Sequence, residues 1–325
     1  MANNKTIRVI LFFIFFIAAF TAFAQSAGLR YAIIPENPRP GEPVTIGVGG
    51  GENASLKSAA LLSGGQRLAR ASFFVVAGEE EQSFMAAVLT VPSTAKPGAA
   101  VINVESAGGL VSAIPLHIAE REFSSEVIEL NEALTDIRTA YDPQKIRESE
   151  RLWAVLGRTG SDIYYSGRFS PPVTSTRRTG FFGDRRVFRY SDGNSEASIH
   201  AGVDYGVPRG TPVSACGSGR VVLARFRIVT GNSVIIEHLP GIYSLYYHLD
   251  EIEISEGDMV DTGTLLGRSG ATGLATGPHL HWEIRVSGEN TDPDAFVGRP
   301  VLDKDAILGK INSYCPKTSV LGQTQ

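Results

Sequence analysis

The residues best suited to chemistry lie in one short stretch, Gly277-Pro278-His279-Leu280-His281-Trp282-Glu283. Two histidines one residue apart cannot share one face of a helix, but a strand points both imidazoles to the same side of a sheet. Turn residues precede the pair, and aromatic and β-branched residues follow it, which predicts a strand that leaves a tight loop. Such a pair suits a metal site or proton transfer. A solvated or buried pair without chemistry is the alternative, because this spacing alone is weak evidence.

A second candidate stretch, His200-Ala201-Gly202-Val203-Asp204, places a histidine and a carboxylate four positions apart. In an extended chain these two positions share a face, and the glycine and valine between them argue against a helix. Two facing strands could therefore offer His200, Asp204 and His281 to one metal ion. Two nitrogen donors and one oxygen donor, with a fourth position left for water, describe a catalytic zinc site rather than a closed structural one.

A third alternating segment, Tyr243 to Leu249, carries His248 near its end. Four of the six histidines in the sequence therefore lie on three β-like segments, namely His200, His248, His279 and His281. Four core histidines collecting there by chance is a poor explanation. We expect His238 to end a strand before a turn, and His117, alone on an apolar strand, to have a structural role.

Together these three stretches resemble the signatures of the M23 zinc metallopeptidases, the lysostaphin and LytM type of peptidoglycan endopeptidase. The match covers about residues 175 to 297. The resemblance implies a mostly antiparallel β core with a substrate groove, similar to a barrel-sandwich fold. It implies Zn²⁺ bound by His200, Asp204 and His281, with an unligated catalytic pair formed by His248 and His279.

Within that resemblance, we assign His279 as the general base and His248 as a hydrogen-bond donor to the developing oxyanion, although the two roles could be exchanged. An unperturbed histidine pKa of about 6.5 permits both protonation states near neutrality. The chain also departs from the family. Leu239-Pro240 stands where many members have a glycine, and Asn194 and its neighbours do not match the tyrosine that some members place before the first ligand. An auxiliary transition-state donor is therefore unassigned.

The first residues have the pattern of an export signal. Lys5 and Arg8 precede an apolar run and the small-x-small site Ala22-Phe23-Ala24. We expect a signal peptide cleaved after Ala24. An uncleaved membrane anchor is the alternative, since the run is only a little short of a span of about 20 residues. Either case leaves the rest of the chain outside the cytoplasm, periplasmic or secreted, with membrane contact only through an uncleaved signal.

The composition is that of an ordinary globular protein of about two domains: 325 residues, 43% hydrophobic and 20% charged, with a net charge of −4. This balance gives no support to nucleic-acid binding. An oxidising compartment would permit a bridge between the two cysteines, Cys216 and Cys315. Alternatively, Cys216 is a small buried apolar residue, and neither cysteine has the spacing of a thiolate zinc site.

The remaining chain predicts a mainly β protein with a helical connection. Short β-prone runs broken by turn residues predict an immunoglobulin-like β-sandwich, a spacer or a docking module for an envelope partner. Apolar residues at intervals of three and four, including Val127, Leu130 and Leu134, predict a pair of helices, the second begun by Asp142-Pro143. The predicted parts are a signal peptide (1–24), the sandwich (29–119), a helical linker (120–165), the peptidase domain (166–300) and a C-terminal tail (301–325).

An arginine-rich segment, residues 166–196, interleaves basic and aromatic side chains. It could contact an anionic polymer, or its arginines could be solvated or paired with local acids. Taken together, the sequence predicts a zinc-dependent endopeptidase that hydrolyses peptide cross-links of peptidoglycan. Two alternatives stay open: a non-catalytic peptidoglycan-binding or amidase-activating module, although relatives of that kind generally lack some metal ligands, and a purely structural envelope protein.

Overall fold

The computed structural model describes residues 29–49, 56–77, 83–158 and 160–313. The predicted signal peptide, Cys315 and the last residues of the predicted tail lie outside this part of the chain. Within it, no helix is long and apolar enough to cross a membrane. Cys216 is fully buried, while the possible bridge to Cys315 stays a prediction.

The N-terminal module consists of two four-stranded antiparallel sheets that share one core. Its strands are β1 (Arg30–Ile34), β2 (Pro43–Gly49), β3 (Leu56–Ser63), β4 (Gln66–Ser72), β5 (Phe74–Val76), β6 (Phe84–Thr90), β7 (Gly98–Ser106) and β8 (Gly109–Ile118). The strand orders are β1-β2-β6-β5 and β4-β3-β7-β8. Side chains from both sheets, such as Ile46 and Ile102, meet in the interior with no exposed surface. The two sheets therefore form a sandwich, and its immunoglobulin-like character stays a prediction.

The connection between the modules begins with a strand rather than a helix. It contains β9 (Ser125–Glu129), α1 (Glu132–Thr139) and α2 (Pro143–Leu156). The helix prediction was wrong for residues 125–129, where Val127 pairs with Val187 in a parallel ladder. Asn131 sets the start of α1 because its side chain accepts a hydrogen bond from the N–H of Leu134. The predicted cap of α2 is confirmed, since Asp142 accepts from the N–H of Gln144.

The C-terminal module is built on a ten-stranded antiparallel sheet. Its ten strands are β10 (Arg178–Gly180), β13 (Val203–Tyr205), β14 (Pro212–Ser214), β15 (Gly219–Arg227), β16 (Gly231–Leu239), β17 (Ile242–Ile252), β18 (Met259–Val260), β19 (Leu265–Ser269), β20 (Leu280–Val286) and β21 (Glu289–Thr291). Two further strands of this part of the chain are β11 (Arg185–Arg189) and β12 (Ser195–Ile199). Helices α3 (Asp294–Val297) and α4 (Lys304–Ser313) follow. Strands β12, β11 and β9 form a separate three-stranded sheet. The mainly β, largely antiparallel fold class is confirmed.

Strand β20 shows how the sequence divides its residues between two faces. Leu280, Trp282 and Ile284 are fully buried in the core, so the period of two sends His281 and Glu283 to the opposite face. That face is partly covered by α2, whose Leu152, Val155 and Leu156 pack against a set of strand residues that includes Tyr247. The ring of Tyr247 stacks on His281 at 5.6 Å between centroids.

The two modules are in direct contact. Helix α4, within the predicted tail, lies on β1 and β2 of the sandwich. A Cβ on Gly47 would lie 2.2 Å from Cγ2 of Ile307, so the absence of a side chain at this position gives α4 its place. Thr90 and Thr291 share a buried hydrogen bond of 2.5 Å, and Arg121 pairs with Asp292 at 2.6 Å. The sandwich thus supports the end of the C-terminal module.

Candidate metal centre and active site

His200, Asp204 and His281, the predicted ligand set, lie together in the structure. Asp204 on β13 is paired directly with His281 on β20, and His200 precedes β13. Nε2 of His200 lies 3.0 Å from Nδ1 of His281 and 3.1 Å from Oδ2 of Asp204. Nδ1 of His281 lies 2.7 Å from Oδ1 of Asp204. All three residues are buried, and one ligand atom of each lies within 4.8 Å of the others.

In His200 and His281, the ring nitrogen that points away from Asp204 donates a hydrogen bond to another group. Nδ1 of His200 donates to the carbonyl oxygen of Phe181 at 2.8 Å, and Nε2 of His281 donates to Oε1 of Glu283 at 3.0 Å. Because a carbonyl and a carboxylate only accept, each of these nitrogens carries its hydrogen. The two remaining nitrogens therefore face each other and Asp204. Outer hydrogen bonds of this kind orient histidines that ligate metals.

The donor set fits a divalent metal ion. Two imidazole nitrogens and one carboxylate oxygen are the ligands of an open, three-residue catalytic site. They converge at distances that a small cation could bridge. Nη2 of Arg186 also contacts Oδ2 of Asp204, at 2.8 Å. The residues present thus suit a bound metal, with one coordination position left for solvent or substrate.

The pKa values of the site indicate that a bound cation would replace a proton on His281. Burial favours the neutral forms, but hydrogen bonds with Asp204 and Glu283 outweigh it and raise the pKa of His281 to about 9. Burial also opposes ionisation of Asp204, yet hydrogen bonds from His200 and His281 hold its pKa well below the ordinary value. The pKa of Glu283 falls to about 2 despite burial, mainly through Arg285 and His281. In the metal-free protein the protonated ring of His281 therefore lies between two ionised carboxylates.

His248 and His279 stand beside this centre, as predicted for a catalytic pair. Their ring centroids are 4.7 Å apart, and Nε2 of His279 lies 3.8 Å from Oδ1 of Asp204. Nδ1 of His248 donates to the carbonyl of Thr272, and Nδ1 of His279 donates to that of Gly277, both at 2.8 Å. Each Nε2 is left facing the site. Neither ring is a member of the three-residue donor set.

Both of these histidines favour the neutral form. Burial, followed by the neighbouring His279 and His281, lowers the pKa of His248 to about 3. Burial likewise lowers the pKa of His279, although the charge of Asp204 opposes this. The backbone of His248 has a φ of 63°, a left-handed conformation that is uncommon outside glycine and concentrated at functional sites. A neutral imidazole with a free Nε2 can accept a proton.

These side chains open into a groove of about 340 Å³. Its other walls come partly from β9 and β11, through Glu126, Ile128, Arg186 and Phe188, and partly from the loop Leu274–Pro278. The arginines of the arginine-rich segment therefore differ in their surroundings. Arg186 and Arg177 line the groove. Three of the arginines have carboxylate partners, namely Arg178 with Asp294, Arg186 with Glu126 and Asp204, and Arg189 with Glu129.

Several residues of the site were missed in the sequence analysis. Glu283 had a readable signal, because it follows His281 by two positions in a strand and so shares its face. Arg186 and Glu126 had none, since their contact joins strands that are 60 residues apart in sequence. A Cβ on Gly180 would lie 2.3 Å from Nη2 of Arg186 and 2.6 Å from Oδ2 of Asp204. Glycine at this position leaves room for that ion pair.

The remaining histidines lie outside this group. His238 is fully buried on β16, where Nδ1 donates to the carbonyl of Ser218 at 2.8 Å and Nε2 lies 2.7 Å from the hydroxyl of Ser244. It precedes the last residue of its strand, as predicted. His117 is on an exposed position of β8 in the sandwich.

Comparison with known proteins agrees with this geometry. The model of Peptidase family M23 matches residues 198–293, a segment that includes all five site residues. The DD-carboxypeptidase/endopeptidase Mpg of Neisseria meningitidis serogroup B is 41% identical over 95 residues, 29% of this chain and 22% of that protein. The peptidoglycan DD-endopeptidase ShyA of Vibrio cholerae serotype O1 is 44% identical over 89 residues, 27% of this chain and 21% of that protein. The chain thus covers less than a quarter of the length of each.

A solved structure extends the likeness beyond the matched segment. A crystal structure from Pseudomonas aeruginosa, assigned to peptidase M23, is 25% identical and superimposes with a TM-score of 0.55. The match covers 80% of this chain and 95% of that one, so it includes more than the C-terminal module. Sequence, fold and the arrangement of the five site residues agree: this chain carries a domain of peptidase family M23.

Proposed function

We propose that this protein is a zinc-dependent endopeptidase that hydrolyses peptide cross-links of peptidoglycan. The observation that carries the proposal is the convergence of His200, Asp204 and His281 on one point, with the free Nε2 atoms of His248 and His279 beside it, at the floor of an open groove. The relatives named as peptidoglycan endopeptidases support the substrate class. The export pattern of residues 1–24 supports a periplasmic or secreted location.

Zinc is the proposed metal because two imidazoles and one carboxylate are typical ligands of catalytic zinc. Bound zinc would supply a lowered pKa for its water, toward about 7, and would polarise the scissile carbonyl. In this chain, His200 and His281 would each provide one ring nitrogen, and Asp204 one carboxylate oxygen. Glu283 and the carbonyl of Phe181 would hold the two rings in place.

His279 is the proposed general base. Its Nδ1 is fixed on the carbonyl of Gly277, so Nε2 presents a lone pair toward the site and can take the proton of the attacking water. The water oxygen bonds to the carbonyl carbon, and the carbonyl oxygen takes the negative charge. When the C–N bond breaks, the proton passes from Nε2 to the leaving amine, and the products are a carboxylate and a free amine.

We propose a different role for His248 from the one expected. His248 was expected to donate a hydrogen bond to the oxyanion. Its Nδ1–H is already given to the carbonyl of Thr272, so a neutral His248 offers a lone pair at Nε2 and no proton. Nε2 of His248 would therefore accept a hydrogen bond, for example from the attacking water or from the substrate amide.

The direct test is digestion of purified peptidoglycan, with and without a chelator, followed by mass spectrometry of the fragments. Zinc-loaded protein should release fragments with new amino termini, and chelation or the His281→Ala substitution should abolish release. Walls of several known cross-link types would identify the bond that is cut. Failure of the zinc-loaded protein on every cross-link type, together with tight binding to intact walls, would instead favour a non-catalytic wall-binding module.

A further inference from the structure

We propose that Arg186 is a catalytic residue that donates a hydrogen bond from Nη1 to the oxyanion formed on the scissile carbonyl. This inference rests on the proposed peptidase function and extends it to a residue outside the five described above. Arg186 lies on β11, and its guanidinium lines the same groove as His248 and His279. It is also the positive side chain in direct contact with the donor set.

The guanidinium is held by two carboxylates from different elements. Nε donates to Glu126 on β9 at 2.5 Å, and Nη2 donates to Oδ2 of Asp204 on β13 at 2.8 Å. The side chain is only 12% exposed. A guanidinium is planar and rigid, so fixing two of its three nitrogens fixes the direction of the third. Arg186 therefore has one orientation relative to the metal centre.

The third nitrogen is the free one. Nη1 of Arg186 has no hydrogen-bond partner among the described residues, and it is not one of the buried side-chain atoms that lack a partner. It therefore keeps some surface open to solvent, and Arg186 is one of the residues that line the groove. An arginine held by two carboxylates at the wall of a substrate groove, with one nitrogen left unpaired, is suited to act as a preorganised donor.

The site needs such a donor. The rings of His248 and His279 both give their Nδ1–H to backbone carbonyls, and the proton that Nε2 of His279 takes from the water is passed on to the leaving amine, so neither ring is committed to the oxyanion. Arg177 also lines the groove, but a single hydrogen bond of 3.2 Å to the carbonyl of Gly206 holds its guanidinium. Its side chain is exposed and has no carboxylate partner among the described residues. Arg186 is the arginine with a fixed geometry.

The charge arrangement suits stabilisation of a transition state. In the resting protein, Glu126 and Asp204 balance the guanidinium and keep it from repelling a metal ion. When negative charge forms on the carbonyl oxygen, the guanidinium is already oriented and does not have to reorganise. Loss of one such donor typically lowers kcat by about 10² to 10³.

The test compares Arg186→Gln and Arg186→Lys with the parent at saturating zinc, on a purified cross-linked muropeptide. Arg186→Gln should lower kcat about 100-fold or more and change KM less than about threefold. Arg186→Lys keeps the charge but loses the planar fork, and should also lose more than about tenfold. The matched control is Arg189→Gln, which removes an arginine–glutamate pair between the same two strands at an exposed position outside the groove lining.

A second readout separates catalysis from support of the metal ligand. A phosphinate peptide with the shape and charge of the tetrahedral intermediate should bind Arg186→Gln at least tenfold more weakly than the parent, while zinc stoichiometry stays at one. The inference is overturned if saturating zinc restores kcat to within threefold, or if phosphinate affinity is unchanged. Inactivity of the parent on every substrate would instead overturn the proposed function, and phosphinate binding would still report on Arg186.

Discussion

Glu283 accepts a hydrogen bond from Nε2 of His281 at 3.0 Å, on the side of the ring opposite Asp204. Its other carboxylate oxygen accepts from Nε of Arg285 at 2.9 Å, so the carboxylate cannot turn away. His281, Glu283 and Arg285 are every second residue of β20 and so share one face of the sheet, and each side chain is at most 14% exposed. Glu283 thus determines that Nδ1 of His281, and not Nε2, faces the metal centre.

The substitution Glu283→Gln should weaken zinc binding about tenfold to a hundredfold, because outer partners of ligating histidines typically contribute that much. The amide keeps the shape but lacks the charge that strengthens the Nε2–H bond. Zinc affinity would be measured by competition with a chelator. Glu256→Gln provides the control, since Glu256 also pairs with arginines, Arg151 and Arg225, but is not a lining residue of the groove. Equal zinc affinity in both variants would contradict the assigned role.

Metal binding should be coupled to proton release. The pKa of His281 in the metal-free protein is about 9, so at pH 7 a proton occupies the ring and a metal ion must displace it. The affinity for zinc should therefore rise by about tenfold per pH unit up to pH 9 and then level off. Calorimetry in buffers of different ionisation enthalpy would count the protons. Release of no proton at pH 7 would show that His281 is already neutral.

His279→Ala and His248→Ala should lower activity without removing the metal. We expect kcat to fall by about 10² to 10⁴ for His279→Ala, the range for loss of a general base. The zinc content should stay at one, because neither ring belongs to the donor set. His281→Ala is the contrasting variant, in which zinc and activity should disappear together. Zinc loss in His279→Ala would mean that this ring ligates the metal.

The dependence of kcat on pH should reflect the burial of His279, which lowers its pKa. The lowered pKa of His279 means that the base is in its neutral, active form at pH values below the ordinary histidine pKa of about 6.5. The acidic limb of kcat should therefore lie below pH 6.5, with activity lost as the pH falls through the pKa of the base. The profile of kcat between pH 4 and 8 would test this. A limb at or above 6.5 would mean that a group other than His279, such as the metal-bound water, sets the acidic side of the profile.

The sequence was informative wherever the chemistry was local. His279 and His281 share a strand, and His200 and Asp204 flank the start of another, so the period of two was enough to predict which side chains face together. His248 was found near the end of a third alternating segment, and the resemblance added its role in a catalytic pair. The same period would have added Glu283, since a carboxylate two positions after a ligand histidine lies on its face.

Contacts between distant strands could not be read in this way. Val127, Leu130 and Leu134 are spaced as on a helix, yet residues 125–129 form a strand because the edge of β11 is available for pairing. That pairing brings Glu126 to Arg186, and neither residue has a local signal. Similarly, α4 can pack on the sandwich because Gly47 has no side chain, and no pattern within α4 reveals this contact.

The contact between Thr90 and Thr291 offers a test of how firmly the sandwich supports the M23 domain. Both hydroxyl groups are fully buried, 201 residues apart in sequence, and 2.5 Å from each other. Thr291 also donates to the carbonyl of Glu289 at 3.3 Å, whereas Thr90 has only Thr291 as a partner for its hydroxyl among the described residues. Thr291→Val therefore leaves a buried hydroxyl unsatisfied, and Thr90→Val does not.

We expect Thr291→Val to lower the free energy of unfolding by about 1–3 kcal/mol, the cost of an orphaned buried hydroxyl, and Thr90→Val to cost less. The double variant should cost clearly less than the sum, because it removes both partners and leaves similar shapes. Denaturant unfolding of the four proteins would give this cycle, with Thr174→Val as an exposed control. Strict additivity would contradict the coupling, since the hydroxyl of Thr90 has Thr291 as its only partner among the described residues.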